Sequence, residues 1–234
     1  MKMLCFDTTA KTAAVAIVEE GKVLAQAAIT TGLTHSQTLM PLCDSLMRAA
    51  GITLDEIDLV AVSAGPGSFT GLRIGIGTVK GLCQGSKKRC VGVSTLEALA
   101  WNAAGSKMVI CPVMDARCNQ VYTALFQDDG ERPHREWEDQ AISIPQLERQ
   151  LLERKAITLL VGDGAELVWA ALKDRVPGLR LATPAIRLQN AASVGFAALE
   201  KLKTEEPLAP ADLMPRYLRV PQAERERLGR GLGR

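Results

Sequence analysis

Apolar residues near the start of the chain occur in short continuous runs separated by polar breaks. Residues 3–6 (MLCF) are apolar and end at Asp7. Residues 12–18 (TAAVAIV) and 23–30 (VLAQAAIT) form two further runs, and the EEGK between them is typical of a tight turn. We therefore predict three strands with short connections, as in an antiparallel meander. A dinucleotide-binding fold would place a helix directly after the first strand, so this pattern argues against it.

The next segment changes to helical spacing. Apolar side chains recur every three or four residues over 36–50, and Gly51 ends the pattern. Strands are predicted at 55–63 and 90–94, and a helix is predicted at about 70–84 between them. A helix with the sequence TLEALAWNAA follows the second of these strands.

The pattern then restarts after GSK at 105–107. MVICPVMDA and QVYTALFQ are predicted to be paired strands around Asp115, about 108 residues after Asp7, and this repetition indicates an internal duplication. A strand is predicted in ITLLVGDGA, and helices near 145–154, 165–174 and 190–203. We accordingly expect three regions: a first lobe at 1–104, a second lobe at 105–215, and a basic, flexible tail at 216–234.

The glycine-rich segment AGPGSFTGLRIG (64–75) lies between a predicted strand and a predicted helix, which is the layout of many phosphate-binding loops. The P-loop pattern fails because Leu72 is the sixth residue from Gly67 and no Lys-Ser or Lys-Thr follows it. The dinucleotide pattern fails because Thr70 occupies the place of its third glycine. Pro66 also lacks a backbone N–H. We predict that this loop turns the chain and does not bind phosphate.

The helix that follows contains an unusual number of glycines, each of which costs about 0.5 to 1 kcal/mol relative to alanine. Leu72, Ile76, Val79 and Cys83 form its apolar face. Small residues also recur four apart, at Gly71/Gly75 and at Gly77/Gly81/Gly85. They allow another backbone to approach closely, either inside the fold or from a helix of another chain.

The helix at 36–50 favours the second explanation, because its apolar side chains cover more than one core-facing stripe. Methionines at 40 and 47 widen that stripe, and methionine suits adaptable contact surfaces. We therefore predict a partner surface formed by both helices. Its residues are His35, Leu39, Met40, Cys43, Met47, Arg73, Ile74, Gly77, Lys80 and Gly81. The loop that positions it comprises Gly65, Pro66, Gly67, Ser68, Phe69, Thr70 and Gly71.

Composition excludes several classes of function. The 234 residues are 47% hydrophobic and carry a net charge of +2, which gives no general argument for nucleic-acid binding. Six cysteines include no CxxC pair, and the two histidines, His35 and His134, lie far apart, the second in a charged loop. A zinc site is therefore not expected. No apolar run is long enough for a signal peptide or a membrane span, so we expect a cytoplasmic protein.

One resemblance covers essentially the whole chain. GPGSFTGLRIGIGTVKGL, with DTT at 7–9, HSQTLMP at 35–41 and PRYLRVPQAER near the end, resembles the bacterial TsaB (YeaZ) family. The resemblance implies an α/β, two-lobed actin/sugar-kinase-like fold and a part in making threonylcarbamoyladenosine in tRNA, at the adenosine following the anticodon. In that family TsaB is the non-catalytic partner of TsaD, which carries the metal and transfers the threonylcarbamoyl group.

The same resemblance implies the partners. The ATPase TsaE joins TsaB and TsaD, and isolated TsaB proteins form homodimers through the surface that otherwise meets TsaD. The catalytic paralogue carries an H-x-x-x-H metal motif, whereas the matching segment here runs from His35 to Leu39. No catalytic residue, metal or cofactor is therefore expected in the isolated chain. Asp7, Thr8 and Thr9 are interpreted as a relic of a phosphate-facing turn, because glycines are absent beside them.

Two enzymatic alternatives stay open at this point. The first is an ATP-dependent kinase or ATPase of the same fold, which turnover by the purified chain would support. The second is a metallopeptidase, which the absence of HxxxH and HExxH motifs disfavours. Contact with tRNA is expected only through the complex, although the arginines of the C-terminal tail could meet phosphates.

Overall fold

The computed structural model describes residues 1–219, which form two five-stranded mixed sheets flanked by helices. The first sheet consists of β1 (Lys2–Asp7), β2 (Ala13–Glu19), β3 (Lys22–Ile29), β4 (Leu59–Gly65) and β5 (Arg89–Ser94). The second consists of β6 (Val109–Asp115), β7 (Gln120–Asp128), β8 (Pro133–Ser143), β9 (Thr158–Val161) and β10 (Leu179–Leu181).

The two sheets have equivalent topology. Their strand orders are β3-β2-β1-β4-β5 and β8-β7-β6-β9-β10, with the first three strands antiparallel and the last two parallel to the first. Asp7 ends β1 and Asp115 ends β6, so the two aspartates occupy equivalent positions. The internal duplication predicted from the strand–Asp–strand repeat is confirmed.

Seven helices are described in residues 1–219. They are α1 (His35–Ala50), α2 (Phe69–Ser86), α3 (Thr95–Trp101), α4 (Ile144–Arg154), α5 (Ala165–Leu172), α6 (Pro184–Arg187) and α7 (Ala191–Lys201). Short 3₁₀ turns occur at Leu54–Glu56 and Pro210–Asp212. None of the described helices is both long and apolar enough to cross a bilayer. The helices predicted from hydrophobic spacing are confirmed, with shifted ends.

Strands β8 and β10 were not predicted, and His134 was wrongly placed in a loop. The sequence of β8, PHREWEDQAIS, is mostly polar because its side chains alternate between exposed and half-buried positions at the edge of the second sheet. His134 pairs with Gln127 across the ladder, and its Nε2 lies 2.6 Å from Asp129 Oδ2. Burial is too shallow here to produce an apolar pattern.

Helices cover both faces of the first sheet, which explains its continuous apolar strands. Leu4 and Phe6 face the core beneath α1 and α2, whereas Met3 and Cys5 face the core beneath α7. Helices α4 and α5 cover the outer face of the second sheet. Helix α3 contacts strands of both sheets and therefore lies between them.

The chain returns to the first sheet near its end. The sequence division assigned residues 190–203 to the second lobe, but α7 packs against β1, β2, β4 and β5. Lys201 Nζ donates to the carbonyl oxygen of Gly92 at 2.9 Å. Further on, Leu208 pairs with Cys90 as an isolated bridge beside β5. Helix α7 and the segment around Leu208 therefore belong to the first lobe, which we define as the first sheet and the helices packed on it.

Candidate functional site

Residues 65–71, which we call the glycine loop, pack against the turn between β1 and β2. The Ser68 N–H donates to the Thr9 carbonyl oxygen at 2.7 Å, and Thr8 Oγ1 donates to the Gly71 carbonyl oxygen at 2.7 Å. A Cβ on Gly67 would lie 2.7 Å from the Thr9 carbonyl oxygen, so only glycine fits there. One backbone N–H of the loop is thus hydrogen-bonded to the β1–β2 turn, and this contact fixes the start of α2.

The small residues of α2 separate into an inner and an outer set. A Cβ on Gly71 would overlap the Thr8 carbonyl oxygen, and one on Gly75 would overlap Thr8 Oγ1. No atom lies within 4 Å of a Cβ built on Gly77, Gly81 or Gly85. Close packing inside the fold therefore explains the inner pair only. The outer three glycines form an open strip, and nothing within the described chain offsets their cost in helix propensity.

Two residues assigned to the partner surface are instead core residues. Leu39 and Cys43 are 1% and 2% exposed and pack in the cluster beneath the first sheet. The prediction was wrong for them because they form the stripe by which α1 covers β2 and β3. Met40 is 42% exposed, and Met47 lies half-buried at the edge of the same core. Of the apolar residues of α1 assigned to the partner surface, the two methionines remain available there.

His35 begins α1 but is not placed with other metal-binding side chains. Its Nε2 lies 2.7 Å from the Ala10 carbonyl oxygen, and its Nδ1 is buried without a hydrogen-bond partner among the described residues. Because a carbonyl only accepts, Nε2 carries the proton. Within residues 1–219, no three His, Cys, Asp or Glu side chains cluster in a way that could hold a metal ion.

The remaining predicted surface residues lie on α2 around the outer glycines. Arg73 is exposed, with its guanidinium carbon 3.9 Å from the centroid of the Phe69 ring. Ile74 is half-buried at the edge of the core. Lys80 Nζ donates to the Ala211 carbonyl oxygen at 3.1 Å. The candidate surface therefore consists of the open glycine strip and two cations on α2, with the two methionines on the neighbouring helix α1.

The turn after β1 holds a buried carboxylate. Asp7 is 1% exposed, and Oδ1 accepts hydrogen bonds from the N–H and the hydroxyl of Thr9 at 2.9 and 2.7 Å. Ser63 Oγ donates to Oδ2 at 2.5 Å. Burial raises the pKa of Asp7 above its ordinary value, and the hydrogen bonds from Ser63 and Thr9 oppose that rise. These contacts occupy both oxygens of the carboxylate within the fold.

We expect Asp7→Asn to show a stability difference from the wild type that depends on pH. Because the pKa of Asp7 is raised in the folded state, the protonated carboxyl favours folding. This stabilisation is complete below the unfolded pKa of about 3.9 and is lost as the pH rises through the folded pKa. Asparagine stays neutral, and Ser63 can accept from its amide. The free energy of unfolding of the variant, relative to that of the wild type, should therefore increase between pH 4 and pH 7.

Urea unfolding across that pH range measures the difference. Asp174→Asn, at an exposed position, controls for the loss of one negative charge. A difference between wild type and Asp7→Asn that stays constant with pH, or moves in favour of the wild type, would contradict the assignment of a raised pKa.

A cavity of about 520 Å³ lies between the ends of β1 and β6 and is lined by residues from both lobes. Asp163 sits in its wall, where Gln189 Nε2 donates to Oδ1 at 3.1 Å. Burial, and to a lesser degree repulsion from Asp115 and Asp7, raises the pKa of Asp163. Arg117 also lines the cavity, where its Nη1 lies 3.5 Å from Asp115 Oδ2, and it begins a run of three residues with positive φ. The cleft is therefore lined by both acidic and basic groups.

Part of the predicted tail lies in this cleft. Residues 216–219 were expected to be flexible, but Arg216 donates its backbone N–H to the Ala64 carbonyl oxygen at 2.7 Å. Tyr217 packs on Phe69, with ring centroids 5.1 Å apart. This segment contains the PRYLR motif, which supports the resemblance but does not by itself predict these contacts. The rest of the predicted tail, 220–234, lies outside the described residues.

The chain is similar to known proteins over most of its length. The family model described as TsaD: tRNA N6-adenosine threonylcarbamoyltransferase matches residues 23–226. The tRNA threonylcarbamoyladenosine biosynthesis protein TsaB of Escherichia coli is 30% identical over 225 residues, covering 94% of this chain and 95% of that protein. The solved structure of YeaZ from Pseudomonas aeruginosa is 26% identical with a TM-score of 0.75, covering 93% of this chain and 99% of that one.

More distant structures show the fold. Component A of (R)-2-hydroxyglutaryl-CoA dehydratase from Acidaminococcus fermentans is 10% identical with a TM-score of 0.51, covering 87% of this chain and 100% of that one. The two mixed sheets with their flanking helices have the actin/sugar-kinase-like fold, as predicted.

Proposed function

The chain belongs to the TsaB (YeaZ) family and has a role in the biosynthesis of threonylcarbamoyladenosine in tRNA; on that premise we propose that it is a non-catalytic subunit. It binds and supports the catalytic TsaD subunit, together with the ATPase TsaE. The observation that carries this proposal is the open strip of Gly77, Gly81 and Gly85 on α2, which has no packing partner within the described chain. An exposed glycine strip lets a partner helix approach closer than the usual 8 to 10 Å between helix axes.

The surroundings of the strip suit a protein partner. Met40 and Met47 supply flexible apolar surface, which adapts to a partner and repacks. Arg73 and Lys80 lie at the border, where charges set orientation and association rate more than affinity. We propose that a second copy of the chain uses the same surface in the absence of TsaD, so that homodimer and heterodimer compete.

The side chains at the predicted sites support a role without chemistry in this subunit. The position matching the second histidine of the paralogue's metal motif is Leu39, which is buried in the core. Both oxygens of Asp7 are engaged by Ser63 and Thr9. The proposal therefore assigns metal binding and group transfer to TsaD and requires no cofactor in the isolated chain.

Reconstitution of the reaction tests this assignment. With ATP, threonine, bicarbonate and unmodified tRNA, the chain alone should yield no threonylcarbamoyladenosine. Adding it to a mixture that already contains TsaD, TsaE and the enzyme that makes the threonylcarbamoyl donor should raise the yield of modified tRNA, measured by nucleoside mass spectrometry. Modified tRNA formed by the chain alone, with contaminating enzymes excluded, would overturn the proposal.

A further inference from the structure

The described chain ends in a segment that crosses the cleft, Leu213–Arg219, which we call the C-terminal strap. Its first residue, Leu213, is 1% exposed and buried in the core of the first lobe. The Arg216 N–H donates to the Ala64 carbonyl oxygen at 2.7 Å. A Cβ on Gly65 would overlap the Arg216 carbonyl oxygen, and Gly65 has a φ of +125°. The strap is therefore packed directly on the glycine loop.

The middle of the strap contacts the first turns of α2. Tyr217 lies against Phe69 with 5.1 Å between ring centroids, and its hydroxyl accepts a hydrogen bond from Arg73 Nε at 3.3 Å. The Arg73 guanidinium also lies over the Phe69 ring. Arg73 is thus held by a ring face and a phenol oxygen. Because Gly77 is one helical turn further along α2, the orientation of Arg73 is set beside the open glycine strip.

The far end of the strap is tied to the second lobe. Arg219 Nη1 donates to the Ala116 carbonyl oxygen at 2.6 Å and lies 3.4 Å from that of Arg117. Both carbonyls belong to the turn between β6 and β7. Hydrogen bonds from a guanidinium are among the stronger ones in proteins. One short segment therefore contacts the glycine loop, helix α2 and the second lobe.

We propose that the C-terminal strap is a positioning element that ties the β6–β7 turn to α2 and fixes Arg73 and Phe69 for the partner. Tyr217 is the positioning residue at the partner surface, and Arg219 is the anchor on the second lobe. The partner-facing half rests on the proposed function, whereas the tie between the lobes does not. A change at the β6–β7 turn is transmitted through the strap to the border of the partner surface.

Three variants remove different contacts of the C-terminal strap. Arg219→Gln removes the anchor and leaves the contacts with α2. Tyr217→Phe removes only the hydroxyl that holds Arg73, and Tyr217→Ala also removes the ring. The control is Arg180→Gln on β10, an exposed arginine whose side chain makes no hydrogen bond or ion pair within the described residues.

Hydrogen exchange of the full-length chain alone tests the tie between the lobes. The amides of Ala116 and Gln120 are hydrogen-bonded within the β6–β7 turn. In Arg219→Gln they should exchange about tenfold faster, the size expected for loss of one charge-assisted hydrogen bond. Exchange equal to that of wild type and of Arg180→Gln would overturn the tie.

Binding to purified TsaD tests the partner-facing half. Tyr217→Phe should weaken binding severalfold and Tyr217→Ala about tenfold, with Arg180→Gln at the wild-type value. Equal binding by all four proteins would overturn the role of Tyr217 and leave the proposed function intact. Failure of the wild type itself to bind TsaD would overturn the proposed function and this half together, whereas the exchange result would still decide the tie. If Tyr217→Ala does not fold, Tyr217→Phe decides.

Discussion

Alanine at Gly71 is expected to destabilise the protein by about 3 kcal/mol, the upper part of the range for overpacking in a close-packed site. The added Cβ would overlap the Thr8 carbonyl oxygen and lie 3.2 Å from the Thr8 carbonyl carbon. Both are backbone atoms of the β1–β2 turn, so no side chain can rotate away. The shift would also strain the hydrogen bond from Thr8 Oγ1 to the Gly71 carbonyl oxygen. Urea unfolding measures the loss.

The matched control on the same helix is alanine at Gly81. Its Cβ would meet no atom within 4 Å, so the gain in helix propensity of about 0.5 to 1 kcal/mol should appear undiminished in the monomer. The same substitution is thus expected to lower the stability of the monomer at Gly71 and to raise it at Gly81, ten residues further along the helix. A loss of stability at both positions would show that the outer glycines also pack inside the fold.

Leucine at Gly81 is expected to weaken association with a partner by roughly thirtyfold, which corresponds to about 2 kcal/mol at an interface centre. The physical reason is that an isobutyl group on the open strip holds a partner helix away from the closest approach of the backbones. Leucine also has higher helix propensity than glycine, so the melting temperature of the monomer should stay level or rise. Sedimentation and thermal melts of the same variant measure both effects.

Glu153→Leu is the control for a new exposed leucine, because Glu153 is exposed on α4 of the second lobe. It should leave association unchanged. If Gly81→Leu unfolds the monomer, the outer glycines are internal. If it leaves both the fold and the association intact, the partner surface lies elsewhere.

The sequence predicted the sheets and most helices because burial is deep there. Continuous apolar strands such as β1 and stripes such as that of α1 result directly from helices covering both sheet faces. Strand β8 lacked that signal because it lies at a sheet edge with alternating half-buried side chains. Deep burial therefore made most elements predictable, although β3 was predicted from its apolar run while largely exposed, and shallow burial concealed β8 and the short strand β10.

The candidate surface was only partly predictable. Spacing identified the small residues of α2 but not the direction in which each pair faces, because that depends on where the β1–β2 turn lies. Gly71 faces Thr8, whereas Gly81 faces open space. Leu39 and Cys43 were misassigned for the same reason, since periodicity shows that residues share a stripe but not which stripe covers the sheet. The strap depends on contacts between residues more than 100 positions apart, which local patterns do not reveal.

The most direct test of the partner surface is hydrogen exchange of the chain with and without purified TsaD. The account predicts slower exchange on complex formation in residues 36–50 and 70–84, with peptides from α4 and α5 unchanged. Protection confined to the second lobe, or to the edge strand β3, would contradict the assignment of the open glycine strip as the surface that binds TsaD.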